Sequence, residues 1–298
     1  MDRPVPARRG GANAHRHPGA PRSSRRGECA TCRWRYLRQP PGTDPAVAPL
    51  LQHPRGDGPN ARGPGAAACS ARDSLTGALH PRRLIAWSLL IAFLATLSYA
   101  ARISGRFGGL PSDTFFRYST AIEAIVTDAI FLLIVLAIAW GLPIRETFAL
   151  RPPGSWRRAA VIGGATLAGA YFLSFAEITL LSDVAREQSV PPYWDGARAA
   201  AWVANLLAIA VFVPIFEEAL CRGLGYALLA SFGTRAAVAL TAVAFTLAHG
   251  VIVDIPVILA TGIGLGYMRA STGSLFPCIV LHAVFNGFGL IAAAAFAT

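Results

Sequence analysis

The chain has 298 residues, of which 54% are hydrophobic and only 14% charged, with a mean hydropathy of +0.46; this excludes an ordinary soluble domain and points to an integral membrane protein. A formal net charge of +11 suggests a nucleic-acid partner until it is located: residues 1–83 hold 15 Arg against 5 acids, and the rest of the chain 12 Arg against 11. Every basic residue is Arg and none is Lys, so a compositional bias accounts for the basicity and no nucleic-acid function is expected.

Residues 1–83 are dense in Pro, Gly and Arg ("PVPARRGGANAHRHPGAPRSSRRGE"), with too little apolar periodicity to offset chain entropy. They read as a disordered tail or as sequence ahead of a misplaced start. Cys29 and Cys32 in "GECATCRW" form a lone CxxC, whereas a zinc ribbon needs two such pairs. The first apolar run begins only at Leu84, too far along for a secretory signal.

From Leu84 onward apolar runs alternate with short polar joints, which predicts an all-α, polytopic transmembrane bundle over residues 84–298. Seven spans are expected, near 84–101, 120–142, 159–181, 199–216, 236–249, 251–268 and 275–297, since about 20 apolar residues cross the hydrocarbon core as a helix. An eighth follows if "LGYALLASFG" forms an embedded half-helix. Arg82 and Arg83 before the first span, with Arg145, Arg151, Arg157 and Arg158 between the second and third, place the N-terminus in the cytoplasm, and a bacterial cell membrane is the expected location. Small-residue faces such as "GIGLGY" serve helix packing, and no internal similarity supports an inverted-repeat transporter.

Ionisable residues inside spans are costly and mark function by default. The candidates are Asp128, Glu177, Glu217, Glu218, Arg222, His249, Asp254 and His282. In "FVPIFEEALCRGLGY", Glu218 and Arg222 are i and i+4 with the acid first, the favourable order for an ion pair. Glu217 projects about 100° away around the axis and is left available as a proton acceptor. The membrane half has only two histidines, His249 in "FTLAHG" and His282 in "VLHAVFNGFG". Phe245 shares a helix face with His249, and Asn286 with His282. A carboxylate base, two imidazoles and a carboxamide are what water-driven amide hydrolysis needs: a base for the water, donors for the oxyanion and an acid for the leaving amine. The same Glu217, His249 and His282 are also the ligand set a divalent metal such as zinc would use; the HExxH helix is absent and carboxamides are poor zinc ligands, which favours the metal-free version. Asp128, Glu177 and Asp254 match no motif and read as structural, with Asp254 at a helix start and the other two lining a water-filled cavity. A proton relay in a transporter and a non-catalytic membrane scaffold are the alternatives.

The blocks "EEALCR", "FTLAH" and "HAVFN", in that order over residues 199–297, resemble the intramembrane endopeptidases that include the type II CAAX prenyl proteases, the CPBP or Abi family with its bacteriocin-processing members. The resemblance implies an α-helical intramembrane protease acting on a membrane protein or prenylated peptide. In it Glu217 is the base, Glu218 and Arg222 its organising pair, and His249, His282 and Asn286 surround the scissile carbonyl.

Overall fold

The computed structural model describes residues 81–104, 110–181 and 190–297. The tail up to residue 80, with Cys29 and Cys32, lies outside the described residues. Within them the chain is helical and contains no strand. Seven long helices follow one another: α1, Pro81–Ile103; α2, Tyr118–Ile138; α3, Trp156–Leu180; α4, Gly196–Phe232; α5, Thr234–His249; α6, Ile255–Thr272; and α7, Phe276–Ala295. Among these, α1, α2, α3, α4 and α7 are long and apolar enough to cross a membrane. The 16 residues of α5 fall short of the roughly 20 a full crossing takes.

One expectation is corrected: the fourth span does not stop at residue 216. It continues through Glu217, Glu218 and Arg222 as the single 37-residue element α4, and "LGYALLASFG" is its C-terminal part rather than a separate half-helix. Hydropathy reads those charges as a boundary. The backbone does not break there, because Glu218 and Arg222 neutralise each other inside the protein and an unbroken helix keeps its backbone groups paired away from water.

The helices gather at two ends. At one end Arg83 donates to the Trp140 carbonyl, Gly154 N–H to Thr272 O and Leu275 N–H to Ala149 O, and Arg151 Nε to Gly273 O at 2.7 Å. The start of α1, the end of α2, the start of α3 and the α6–α7 turn therefore meet there. At the other end Ser98 Oγ donates to Ala248 O and Tyr99 Oη to Val251 O, while Asn205 Nδ2 donates to the carbonyls of Phe115 and Arg117.

Glycines set the closest approaches. A Cβ on Gly225 would lie 2.6 Å from the Trp87 ring, and one on Gly223 would lie 2.5 Å from Phe148. "RGLGY" thus lets α1 and the 140–150 segment press onto α4, where Trp87 Nε1 donates to Leu220 O at 2.9 Å. In "GIGLGY", Gly262 and Gly266 face Ala242 and Val238 of α5, and Gly264 faces Thr166 of α3. The run is a packing surface on both sides, as small residues are in membrane bundles.

Candidate active site

α4 is α-helical over Val213–Glu218 and takes the wider π form on either side, at Ala208–Phe212 and Ala219–Gly225. Pro214 cannot donate a ladder hydrogen bond and its ring crowds the preceding turn, and the first π segment stands directly ahead of it. π turns interrupt the regular advance of side chains around a helix and concentrate at functional sites. Here they bracket the Glu217–Glu218 pair.

One of the two carboxylates faces protein. Glu218 and Arg222 are both fully buried, and Arg222 Nη1 donates to Glu218 Oε1 at 3.0 Å. Arg222 Nη2 donates to the Gly262 carbonyl of α6 at 2.9 Å, its guanidinium lies 4.4 Å over the Phe245 ring of α5, and its carbonyl accepts from Arg269 Nε. A buried charge pair is costly unless its other hydrogen-bonding groups are also served; α5 and α6 supply the Phe245 ring and the Gly262 carbonyl to the guanidinium, while Arg222 Nε and Glu218 Oε2 have no hydrogen-bond partner. His282 Nδ1 of α7 lies 3.0 Å from the same Glu218 Oε1.

The other carboxylate faces a cavity. Glu217 Oε2 has no hydrogen-bond partner and lies 3.5 Å from His282 Nε2 and 3.9 Å from His249 Nε2. His249 Nδ1 is 2.7 Å from the Phe245 carbonyl, which can only accept, so the neutral ring carries its proton on Nδ1 and offers an Nε2 lone pair. His282 Nδ1–H can donate in the same way to Glu218 Oε1, and the Nε2 of a neutral ring is then an acceptor too. With both rings neutral, acceptors converge on the cavity, and what fits between them is a donor. The Phe245 ring packs against both imidazoles, with centroids 4.4 Å from His249 and 5.6 Å from His282.

The cavity measures ≈790 Å³, and Glu217, His249, His282 and Asn286 all contribute to its wall. Asn286 spends one Nδ2 hydrogen on Ile209 O at 3.1 Å, leaving the second for another partner. The exposed carbonyl of Ile209 belongs to the first π segment. All six motif residues, Glu217, Glu218, Arg222, His249, His282 and Asn286, are thus gathered from α4, α5 and α7 around one point, four on the cavity wall and Glu218 and Arg222 behind it.

Asp254, expected at a helix start, is the N-cap residue of α6. It also lines the cavity, which sequence reasoning missed; the connection of only a few residues from His249 is the signal that placed it there. Asp128 and Glu177, expected on a cavity wall, are absent from this one. Phe245 was visible only as a motif partner, and the Gly262 and Ile209 carbonyls left no trace in side-chain chemistry. As for a metal, no group of three His, Cys, Asp or Glu among the described residues is arranged to hold an ion.

Compared with known proteins, residues 199–288 match the family model described as Rce1-like, type II CAAX prenyl endopeptidase. The matched segment runs from α4 into α7 and contains all six residues. No curated protein matches the chain, and no solved structure does.

Proposed function

We propose, from the match of residues 199–288 to the Rce1-like type II CAAX prenyl endopeptidase family model, that this chain is an intramembrane endopeptidase that hydrolyses a peptide bond with a water activated by Glu217. The observation that carries this reading is the convergence of Glu217 Oε2 with the Nε2 acceptors of His249 and His282 on one cavity wall. A water held there gives one hydrogen to Glu217 and the other to an imidazole, and its lone pair is left pointing at substrate.

Each step then has an owner. Glu217 takes the proton as the water oxygen bonds to the scissile carbonyl carbon. The carbonyl oxygen becomes an oxyanion, and the second Nδ2 hydrogen of Asn286 is the donor available to it. A neutral His282 cannot add a second donor, since its Nε2 is an acceptor, and does so only after taking up a proton. As the C–N bond breaks, the proton on Glu217 passes to the leaving amine, directly or through His249. Glu218, tied to Arg222 and to His282 Nδ1, fixes the ring orientation and tautomer without touching the reacting atoms.

No metal is needed for these steps. Purified protein reconstituted in liposomes is expected to cleave plain or prenylated peptides near the membrane surface, to keep that activity in the presence of chelator, and to lose it in Glu217→Gln. Unchanged cleavage by Glu217→Gln overturns the assignment of the base, and loss with chelator that zinc restores overturns the metal-free mechanism.

A further inference from the structure

We propose that the corner where the start of α3 meets the α6–α7 turn is a binding site for the phosphate of an anionic phospholipid headgroup, gripped by Arg151 and Arg158 with Arg269 behind them. None of the three lines the cavity, so the inference stands apart from the hydrolase reading.

Three arginines are drawn to one helix end there. Arg151 Nε donates to the Gly273 carbonyl at 2.7 Å, and Arg158 Nη1 lies 3.5 Å from the Ser271 carbonyl. Arg269 stands one turn back on α6, where its own carbonyl accepts from Gly273 N–H. A helix C-terminus attracts a cation through its free carbonyls and its dipole, but three are gathered on this last turn. None of them has a carboxylate within ion-pair distance among the described residues. Glu146, the nearest acid in sequence to Arg151, is exposed and joins none of them.

Of the three, Arg269 is the most deeply set. It is only 8% exposed; its Nε donates to the Arg222 carbonyl and its guanidinium lies 4.8 Å over the Tyr226 ring. Its Nη groups make no hydrogen bond among the described residues. A buried charge is costly without a counter-charge, and the charged side chain acting on this one is Arg151, of like sign. An anion lodged between Arg151 and Arg158 removes that imbalance. The start of α3 adds donors: Ser155 Oγ accepts from Arg158 N–H, which leaves the N–H groups of Trp156 and Arg157 with no partner inside the helix. The anion-favouring end of the α3 dipole thus lies at the same corner, fixed by the bond from Gly154 N–H to Thr272 O.

The membrane decides which anion. Trp156, between the two arginines in sequence, is 59% exposed, and Trp140, whose carbonyl accepts from Arg83 at the same end, is 83% exposed. Exposed tryptophans of a membrane protein mark the headgroup level, so the guanidiniums lie in the layer where phosphodiesters are the abundant anion. Basic pockets between helices at that depth take anionic headgroups, and a guanidinium fork matches the oxygens of a phosphate.

The test follows the melting temperature of the full chain in neutral detergent as short-chain phosphatidylglycerol, phosphatidylcholine with the same chains, or inorganic phosphate is added. Phosphatidylglycerol is expected to raise it saturably and phosphatidylcholine hardly at all. Arg158→Gln should weaken the apparent affinity about 5-fold, and Arg151→Gln combined with Arg158→Gln about 25-fold, from the usual worth of one basic residue at a lipid surface. Arg235→Gln, which removes an exposed arginine at the start of α5, should leave it unchanged. Each variant is compared with its own lipid-free melting temperature, so loss of fold is read separately from loss of ligand, and Arg158→Gln gives up only the 3.5 Å approach to Ser271 O. Equal response to the two lipids, unchanged affinity in Arg158→Gln, equal weakening in Arg235→Gln, or inorganic phosphate matching phosphatidylglycerol at the same concentration overturns the headgroup site.

Discussion

The two faces of α4 that meet at the Glu217–Glu218 pair carry the same functional group into different surroundings. On the packed face Glu218 has Arg222 and His282 within hydrogen-bonding distance, and Arg222 in turn is held by the Gly262 carbonyl and the Phe245 ring. On the cavity face Glu217 has two imidazole lone pairs nearby and no hydrogen bond to Oε2. Compensation makes one carboxylate a fixed part of the fold. Its lack leaves the other available for chemistry, and His282, which touches both, transmits the rigidity of the first to the second.

The sharpest way to break this contrast is to mutate one side and ask which property falls. Glu217→Gln is expected to lower the rate of peptide cleavage about 10²–10⁴-fold, the usual worth of a general base, while its melting curve in detergent matches the wild type. Arg222→Ala should do the opposite damage, leaving the buried Glu218 charge uncompensated at a cost of about 3–5 kcal/mol, seen as a large fall in melting temperature. Replacing both members, as in Glu218→Gln with Arg222→Met, is expected to cost less than Arg222→Ala alone; an equal or greater loss contradicts the view that the stranded charge is what destabilises.

Gly225→Ala tests the packed face without touching charge. Alanine favours a helix over glycine by up to about 1 kcal/mol, but its Cβ would meet the Trp87 ring at 2.6 Å and the Leu220 carbonyl at 3.0 Å, so overpacking of about 1–3 kcal/mol should win. A raised melting temperature shows that α1 yields at this contact.

The smallest effect belongs to the α1–α2 connection. Hydrogen bonds from Arg117, then Arg198, hold the Asp113 carboxyl below its ordinary value of 3.8. A depressed folded value means that the stabilisation is present above the ordinary carboxylate range and is lost as pH falls through the folded value. The partly exposed pairs make it modest and salt-sensitive. The melting-temperature gap between wild type and Asp113→Asn is therefore expected at pH 6 and should close as pH drops below about 3.8; a gap that widens on acidification contradicts the assignment.

Much of this was legible in the sequence, for identifiable reasons. Apolar runs gave the helices because the bilayer imposes a length and a composition. The i, i+4 spacing of Glu218 and Arg222 gave the ion pair, and the scarcity of histidine in the membrane half singled out His249 and His282. The continuity of α4 was hidden because hydropathy scores a charge by its type and not by its partner. The Gly262 and Ile209 carbonyls were hidden because every residue has one, and only the fold decides which are exposed. The gathering of the helices at one end came from backbone bonds between segments more than a hundred residues apart, such as Gly154 to Thr272, which no local pattern foretells.

The paired π segments of α4 have one more consequence. A π turn is in effect an α-helix with a surplus residue, so Val213–Glu218 behaves as a short rotor mounted between two slipped joints. Its azimuth is decoupled from the ends of the helix, one anchored by Asn205 to the Phe115 and Arg117 carbonyls and the other by Trp87 against Gly225. Deleting a single residue within Ala219–Gly225 would return that joint to α and turn the acid pair by about 100° relative to the anchored end. A helix of the same composition would then present its carboxylates to the wrong neighbours, so a one-residue deletion there would silence the site with both carboxylates still in the chain.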